Sequence, residues 1–123
     1  VRVLLDSHVI LWWDHDLSRL SGTQKLAIGD PANDVFVSAV TSWELGIKSA
    51  AGKLILNDSI QTLADRFAFI ELPVTLRHGE VAASLPSLHK DPFDRMLVSQ
   101  AICEGMVLLT VDRRLSEYGV ATL

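Results

Sequence analysis

The run Val1-Arg2-Val3-Leu4-Leu5, closed by Asp6, restricts the chain more than any other stretch. After Arg2 it has no polar alternation, so it fits a strand covered on both faces, as strands inside a parallel sheet are. Asp6 then stands at the carboxyl end of that strand. In open α/β sheets ligands gather outside the carboxyl ends, where the order of connections reverses. A carboxylate placed there is a candidate for chemistry, and equally a candidate N-cap for the helix that follows.

The rest of the chain alternates in the same way. Ile10, Trp13, Leu17 and Leu20 recur at three- and four-residue steps, the stripe of one helix or two short ones, with Trp12 and Trp13 as core or interface residues. Ser21 opens a helix to about Ile28 that Gly29-Asp30-Pro31 stops. Asp34 to Ser38 reads as the second strand, and a helix from Thr41 to about Ala51 carries Val40, Trp43, Ile47 and Ala50 on one side, with Gly52 as its stop. Asn57 or Asp58 opens a helix bearing Ile60, Leu63, Ala64 and Phe67. Phe69 to Leu72 makes a third strand, and Thr75 to Leu85 a helix ended by Pro86. Asp91 caps a helix that has Pro92 in its first position and Gly105 just past its end. Met106 to Thr110 is a fourth apolar strand, Arg113 to Tyr118 a short helix, and Val120 to Leu123 an edge strand. Strands alternating with helices predict an α/β domain over residues 1–123, its parallel sheet covered on both faces through right-handed crossovers.

A chain of 123 residues, 49% of them hydrophobic, can bury such a core without metal or disulfide staples. The single cysteine, Cys103, falls in an apolar helical pattern and reads as packing, which suits a reducing compartment. No apolar run approaches the roughly 18 residues of a membrane span, and the N-terminal residues lack the layout of a signal peptide. The expectation is a cytoplasmic protein that does not enter a membrane. With 15 acids against 11 Lys and Arg, a net charge of −4 argues against coating nucleic acid by bulk positive charge. A local basic rim of Lys90, Arg95, Arg113 and Arg114 nonetheless flanks three of the acids discussed next.

Those acids are Asp6 after the first strand, Glu44 in the helix after the second, Asp91 and Asp94 opening a later helix, and Asp112 after the fourth strand. If the strands are neighbours, all of them crowd one edge of the sheet. Two carboxylates about 4 Å apart repel by roughly 4 kcal/mol at an effective dielectric near 20. Either some of the carboxyls keep protons or a hard cation with oxygen ligands sits among them. With His and Cys absent from the group, Mg²⁺ or Mn²⁺ suits it better than zinc. Each acid also has a structural role open to it. Thr41-Ser42-Trp43-Glu44 reads as a capping box, Glu44 can pair with Lys48, Asp91 and Asp112 can cap helices, and only Asp94 faces Leu97, Val98 and Ala101 without such a role. A cation among these acids lowers the pKa of bound water and offsets charge on a phosphate, which points to metal-assisted phosphodiester hydrolysis with the basic rim holding flanking phosphates.

With these residues the sequence resembles the PIN-domain family, and within it the VapC-like ribonuclease toxins of toxin–antitoxin pairs. The matching segments are Leu4-Leu5-Asp6-Ser7-His8-Val9, Val37-Ser38-Ala39 through Trp43-Glu44, Gly52-Lys53-Leu54, His89-Lys90-Asp91-Pro92-Phe93-Asp94-Arg95 on to Gln100-Ala101, and Leu109-Thr110-Val111-Asp112-Arg113. The resemblance implies a three-layer α/β/α domain with a sheet of about five strands in the order 3-2-1-4-5. It implies a Mg²⁺- or Mn²⁺-dependent endoribonuclease whose acidic quartet falls on Asp6, Glu44, Asp94 and Asp112, with Asp91 as an additional acid. Thr110 is similar to the family's hydroxyl that orients the last acid, and Ser7 keeps a hydroxyl beside the first. A homodimer and a small antitoxin that occupies the active groove are implied as partners. His8 departs from the pattern, standing where many relatives carry Asn. Two other readings compete: a PIN-like binding module without activity, which a complete quartet disfavours, and a phosphoacceptor signalling domain, which wants a Lys beyond the last strand-end acid where Val120 to Leu123 offers none.

Overall fold

In the computed structural model, which describes residues 1–123, the first strand, β1 (Arg2–Leu5), lies inside a four-stranded parallel sheet. It pairs on one side with β2 (Asp34–Ser38), beyond which lies β3 (Ile70–Leu72), and on the other with β4 (Val107–Leu109). The order β3-β2-β1-β4 follows the expectation up to its last member. The predicted fifth strand, Val120 to Leu123, contributes one parallel bridge, Leu108 to Thr122, rather than a ladder. The turn at Gly119, with φ of +79°, returns the chain to β4 only at Ala121, whose carbonyl accepts from Leu108 N at 2.9 Å.

The lack of polar alternation in β1 has the cause expected. Val3 and Leu5 pack into one core with Val9, Ile10, Leu45 and Leu63, while Leu4 packs into a second with Leu97, Val98, Ala101 and Leu108. The first layer is built on α1 (Ser7–His15), α2 (Gly22–Gly29) and α4 (Ile60–Phe67), the second on α6 (Pro92–Glu104), against which α5 (Leu76–Ser84) pairs. Between them α3 (Ala39–Ala50) sends Leu45 to one core and Val40 to the other. Short 3-10 turns cover Leu17–Arg19 and Arg113–Tyr118. No helix is long and apolar enough to cross a membrane.

Helix starts and stops follow from local chemistry, with two departures. Asp91 caps α6 through Phe93 N at 2.9 Å and Asp94 N at 3.3 Å, and Gly105 ends it in the left-handed region at φ +64°. Ser59 caps α4, in place of Asn57 or Asp58. The helix after β2 begins directly on the strand, capped by Ser38, so the capping box read at Thr41 to Glu44 does not form. That start sets which side of α3 faces inward. Val40 of the expected stripe is buried, together with Thr41, Glu44 and Leu45, whereas Trp43 is 64% and Ile47 44% exposed and Ala50 is exposed as well.

Candidate active site

Four segments deliver carboxylates to the carboxyl edge of the sheet: the end of β1, the second turn of α3, the first turn of α6 and the loop after β4. Asp6, Ser7, His8, Glu44, Lys48, Asp91, Asp94, Val111 and Asp112 line one cavity of about 140 Å³, with a single hydrophobic residue among them. A larger cavity of about 190 Å³ beside α4 has only Glu71 as an acid.

Asp6 is 5% exposed. Its Oδ1 accepts the amides of His8 at 3.0 Å and Val9 at 3.2 Å, capping α1, and its Oδ2 accepts the Thr110 hydroxyl at 2.5 Å. The N-cap and the site residue are therefore one side chain. Burial nevertheless pushes its carboxyl above the ordinary value, more than these hydrogen bonds lower it. Thr110 also accepts Asp112 N at 3.0 Å, so it ties the first acid to the last, orienting Asp6 through its hydroxyl and Asp112 through the backbone. Replacing Thr110 with Val removes both bonds around a buried carboxylate. The expected loss is about 1–3 kcal/mol, read from the urea midpoint at neutral pH.

Glu44 is 3% exposed, held by the Ser7 hydroxyl on Oε1 and by Lys48 Nζ at 2.6 Å on Oε2. The Glu44–Lys48 pair forms, and it lies in the cleft because α3 turns this side inward. Asp94 carries the largest consequence of crowding. Burial first, then the neighbouring Asp91, raise its carboxyl from 3.8 to about 6, with Asp6 and Glu44 adding to the effect. Asp112 moves the other way, to about 2, because the Arg114 guanidinium grips it through Nε at 3.0 Å and Nη2 at 2.8 Å. Asp91 commits Oδ1 to its cap, which leaves Oδ2 for the cavity.

Two functional side chains escaped the sequence reading. Lys48, read only as a pairing partner of Glu44, also lines the cavity. His89, assigned no role, inserts Nε2 between Asp94 Oδ2 at 3.1 Å and Asp112 Oδ2 at 3.3 Å. The expectation that the acids lack a histidine is thus corrected. The usable signal was position alone, since His89 stands two residues before Asp91.

The basic rim divides. Lys90 and Arg113 are exposed, and Arg114 lies on Asp112. Arg95, expected to hold phosphates, is turned away. Its Nη1 donates to Pro86 O at 2.9 Å and its Nη2 to Ala82 O and Leu85 O, both at 2.9 Å. These carbonyls lie at the end of α5 and in the residues after it, where no helical donor is left for them, so Arg95 fastens α5 to α6. Arg95→Ala is expected to cost about 1–3 kcal/mol in chemical unfolding while leaving RNA affinity of the folded protein unchanged, as fluorescence anisotropy would report.

Carboxylate oxygens from four segments are the donor set of a hard divalent cation such as Mg²⁺ or Mn²⁺. After burial, the charges of Asp91, Asp6 and Glu44 all raise the Asp94 carboxyl, so the acids crowd one another closely enough to fit such an ion.

Comparison with known proteins agrees with this arrangement. The family model described as PIN domain matches residues 3–121. Ribonuclease VapC22 of Mycobacterium tuberculosis (strain ATCC 25618 / H37Rv) is 33% identical over 121 residues, covering 94% of this chain and 91% of the relative. VapBC2 from Rickettsia felis, solved bound to a DNA fragment from their promoter, aligns with a TM-score of 0.71 at 15% identity over 100% of this chain and 98% of that one. FitAcB from Neisseria gonorrhoeae aligns at 0.64 and 21% identity, covering 98% and 96%. At those identities the two structures speak for the fold alone. The sequence match spans nearly the whole chain, and this chain belongs to the PIN-domain family.

Proposed function

We propose that the protein is a Mg²⁺- or Mn²⁺-dependent endoribonuclease and the toxin of a toxin–antitoxin pair. The observation that carries this reading is the convergence of Asp6, Glu44, Asp94 and Asp112 on one small polar cavity. These four would hold the ion, with Asp91 able to lend its free oxygen. When bound, such an ion supplies a lowered pKa for its water and offsets charge on the scissile phosphate. The chain's own side chains set the rest. Ser7 and Thr110 fix the directions of Glu44 and Asp6. Asp94, lifted to about 6 when no ion is bound, must give up its proton to hold one, which couples ion binding to pH. Lys90 and Arg113 are placed to hold flanking phosphates of an RNA strand.

The toxin assignment is supported by the 33% identity to a protein named Ribonuclease VapC22. An antitoxin, and a second copy of the chain as homodimer, are the partners this reading carries. The exposed Trp43 and Ile47 on α3 are large apolar side chains of the kind partners cover. The test is incubation of the purified chain with RNAs of varied sequence and Mn²⁺ or Mg²⁺. Fragments that disappear with EDTA are expected; intact RNA under every condition overturns the proposal.

A further inference from the structure

We infer that His89 is itself a ligand of the ion in this cleft, adding an imidazole nitrogen to the carboxylate oxygens and shifting preference from Mg²⁺ toward transition ions. The inference rests on the reading above that the cleft holds a divalent ion. His89 lies in the loop between α5 and α6 with only 13% of its side chain exposed. One donor atom from each of His89, Asp94 and Asp112 falls within 4.8 Å of the others. The loop is held where it is: the His89 carbonyl accepts from the Tyr118 hydroxyl at 3.4 Å and from Arg95 Nη1 at 3.5 Å. Arg95, lost to the phosphate rim, thus steadies the backbone that presents the imidazole.

No single role of Nε2, donor or acceptor, matches all three of its neighbours. Two carboxylate oxygens face it at 3.1 and 3.3 Å, and Arg114 Nη2 faces it at 3.4 Å. An imidazole nitrogen offers one proton or one lone pair. As a donor it has one proton for two carboxylates and faces the guanidinium donor; as an acceptor it suits the guanidinium and faces two carboxylate acceptors. A cation among the nitrogen and the two oxygens removes the conflict, because the lone pair and both carboxylates then point at positive charge. The spacing suits this. Adjacent ligands of an octahedral ion at about 2.1 Å stand about 3.0 Å apart, and those of a tetrahedral ion at about 2.1 Å stand about 3.4 Å apart. Mg²⁺ prefers oxygen and sheds water reluctantly, whereas an imidazole favours later first-row ions.

Pulsed electron paramagnetic resonance of the Mn²⁺-loaded chain reads the nitrogen directly. A ¹⁴N coupling in the parent that vanishes in His89→Gln is expected. Titration calorimetry should show the Kd for Co²⁺ rising about 10-fold or more in that variant, while that for Mg²⁺ moves less than about 3-fold. Circular dichroism checks that the variant is folded, and the parent spectrum needs no variant. Bound Mn²⁺ without nitrogen coupling, or a variant that binds Co²⁺ as tightly as the parent, overturns the inference and leaves the carboxylate site standing. A parent chain that binds no Mn²⁺ overturns both.

Discussion

Asp94→Asn is expected to lower RNA cleavage by at least about three orders of magnitude and yet to raise the stability of the metal-free protein at pH 7.5. The two effects share one cause. The Asp94 carboxyl is lifted from 3.8 to about 6 by burial and by the acids around it. A carboxyl whose pKa is higher folded than unfolded binds its proton more tightly in the folded state, so it costs stability wherever it is ionised. Below pH 3.8 it is protonated in both states and costs nothing. Through the window up to about 6 the cost grows, and above it the full amount, on the order of 1–3 kcal/mol, is present. Removing the charge recovers that amount only at neutral pH. Urea midpoints at pH 4 and pH 7.5 should show no gain at the first and a clear gain at the second. A variant that is less stable at both, or that still cuts RNA, contradicts the role given to Asp94.

Mn²⁺ is expected to raise the melting temperature by roughly 10 °C at pH 7.5 when present at about 100 times its Kd, a stabilisation of about 2.7 kcal/mol. In His89→Gln, which takes the imidazole out of the comparison, the shift at pH 5 should be about half that at pH 7.5. At pH 5 Asp94 is mostly protonated and the ion must expel that proton, which weakens binding about tenfold. Asp112 does not contribute to this difference, because Arg114 holds its carboxyl near 2 and it stays ionised at both pH values. Differential scanning fluorimetry at the two pH values decides the matter: equal shifts mean that the ion does not touch Asp94.

The sequence was most informative where one residue type admits one conformation. Asp91, Pro92 and Gly105 fix the ends of α6, and the apolar core of β1 required neighbours on both sides. It misled at α3. Thr41 and Glu44 have the spacing of a capping box, but Ser38, at the very end of β2, offers its oxygen two residues sooner, and the helix turns accordingly. Trp43 and Ile47 then face outward while Glu44 goes in. Periodicity cannot weigh an apolar side chain against a carboxylate whose burial Ser7 and Lys48 compensate. His89 escaped for another reason. It belongs to a loop, where no helical or strand period marks a side chain's direction, and only the carbonyl contacts of Arg95 and Tyr118 determine where its ring goes. Arg95 was misassigned by the same limit, since charge alone does not reveal that nearby carbonyls need donors.

The bond from Thr110 to Asp6 joins the first strand of the sheet to the loop after the fourth. During translation, therefore, a growing polypeptide that has emerged only as far as α6 has three of its four strand-edge carboxylates and no partner for the first. The complete set of four acids exists only once β4 has docked beside β1.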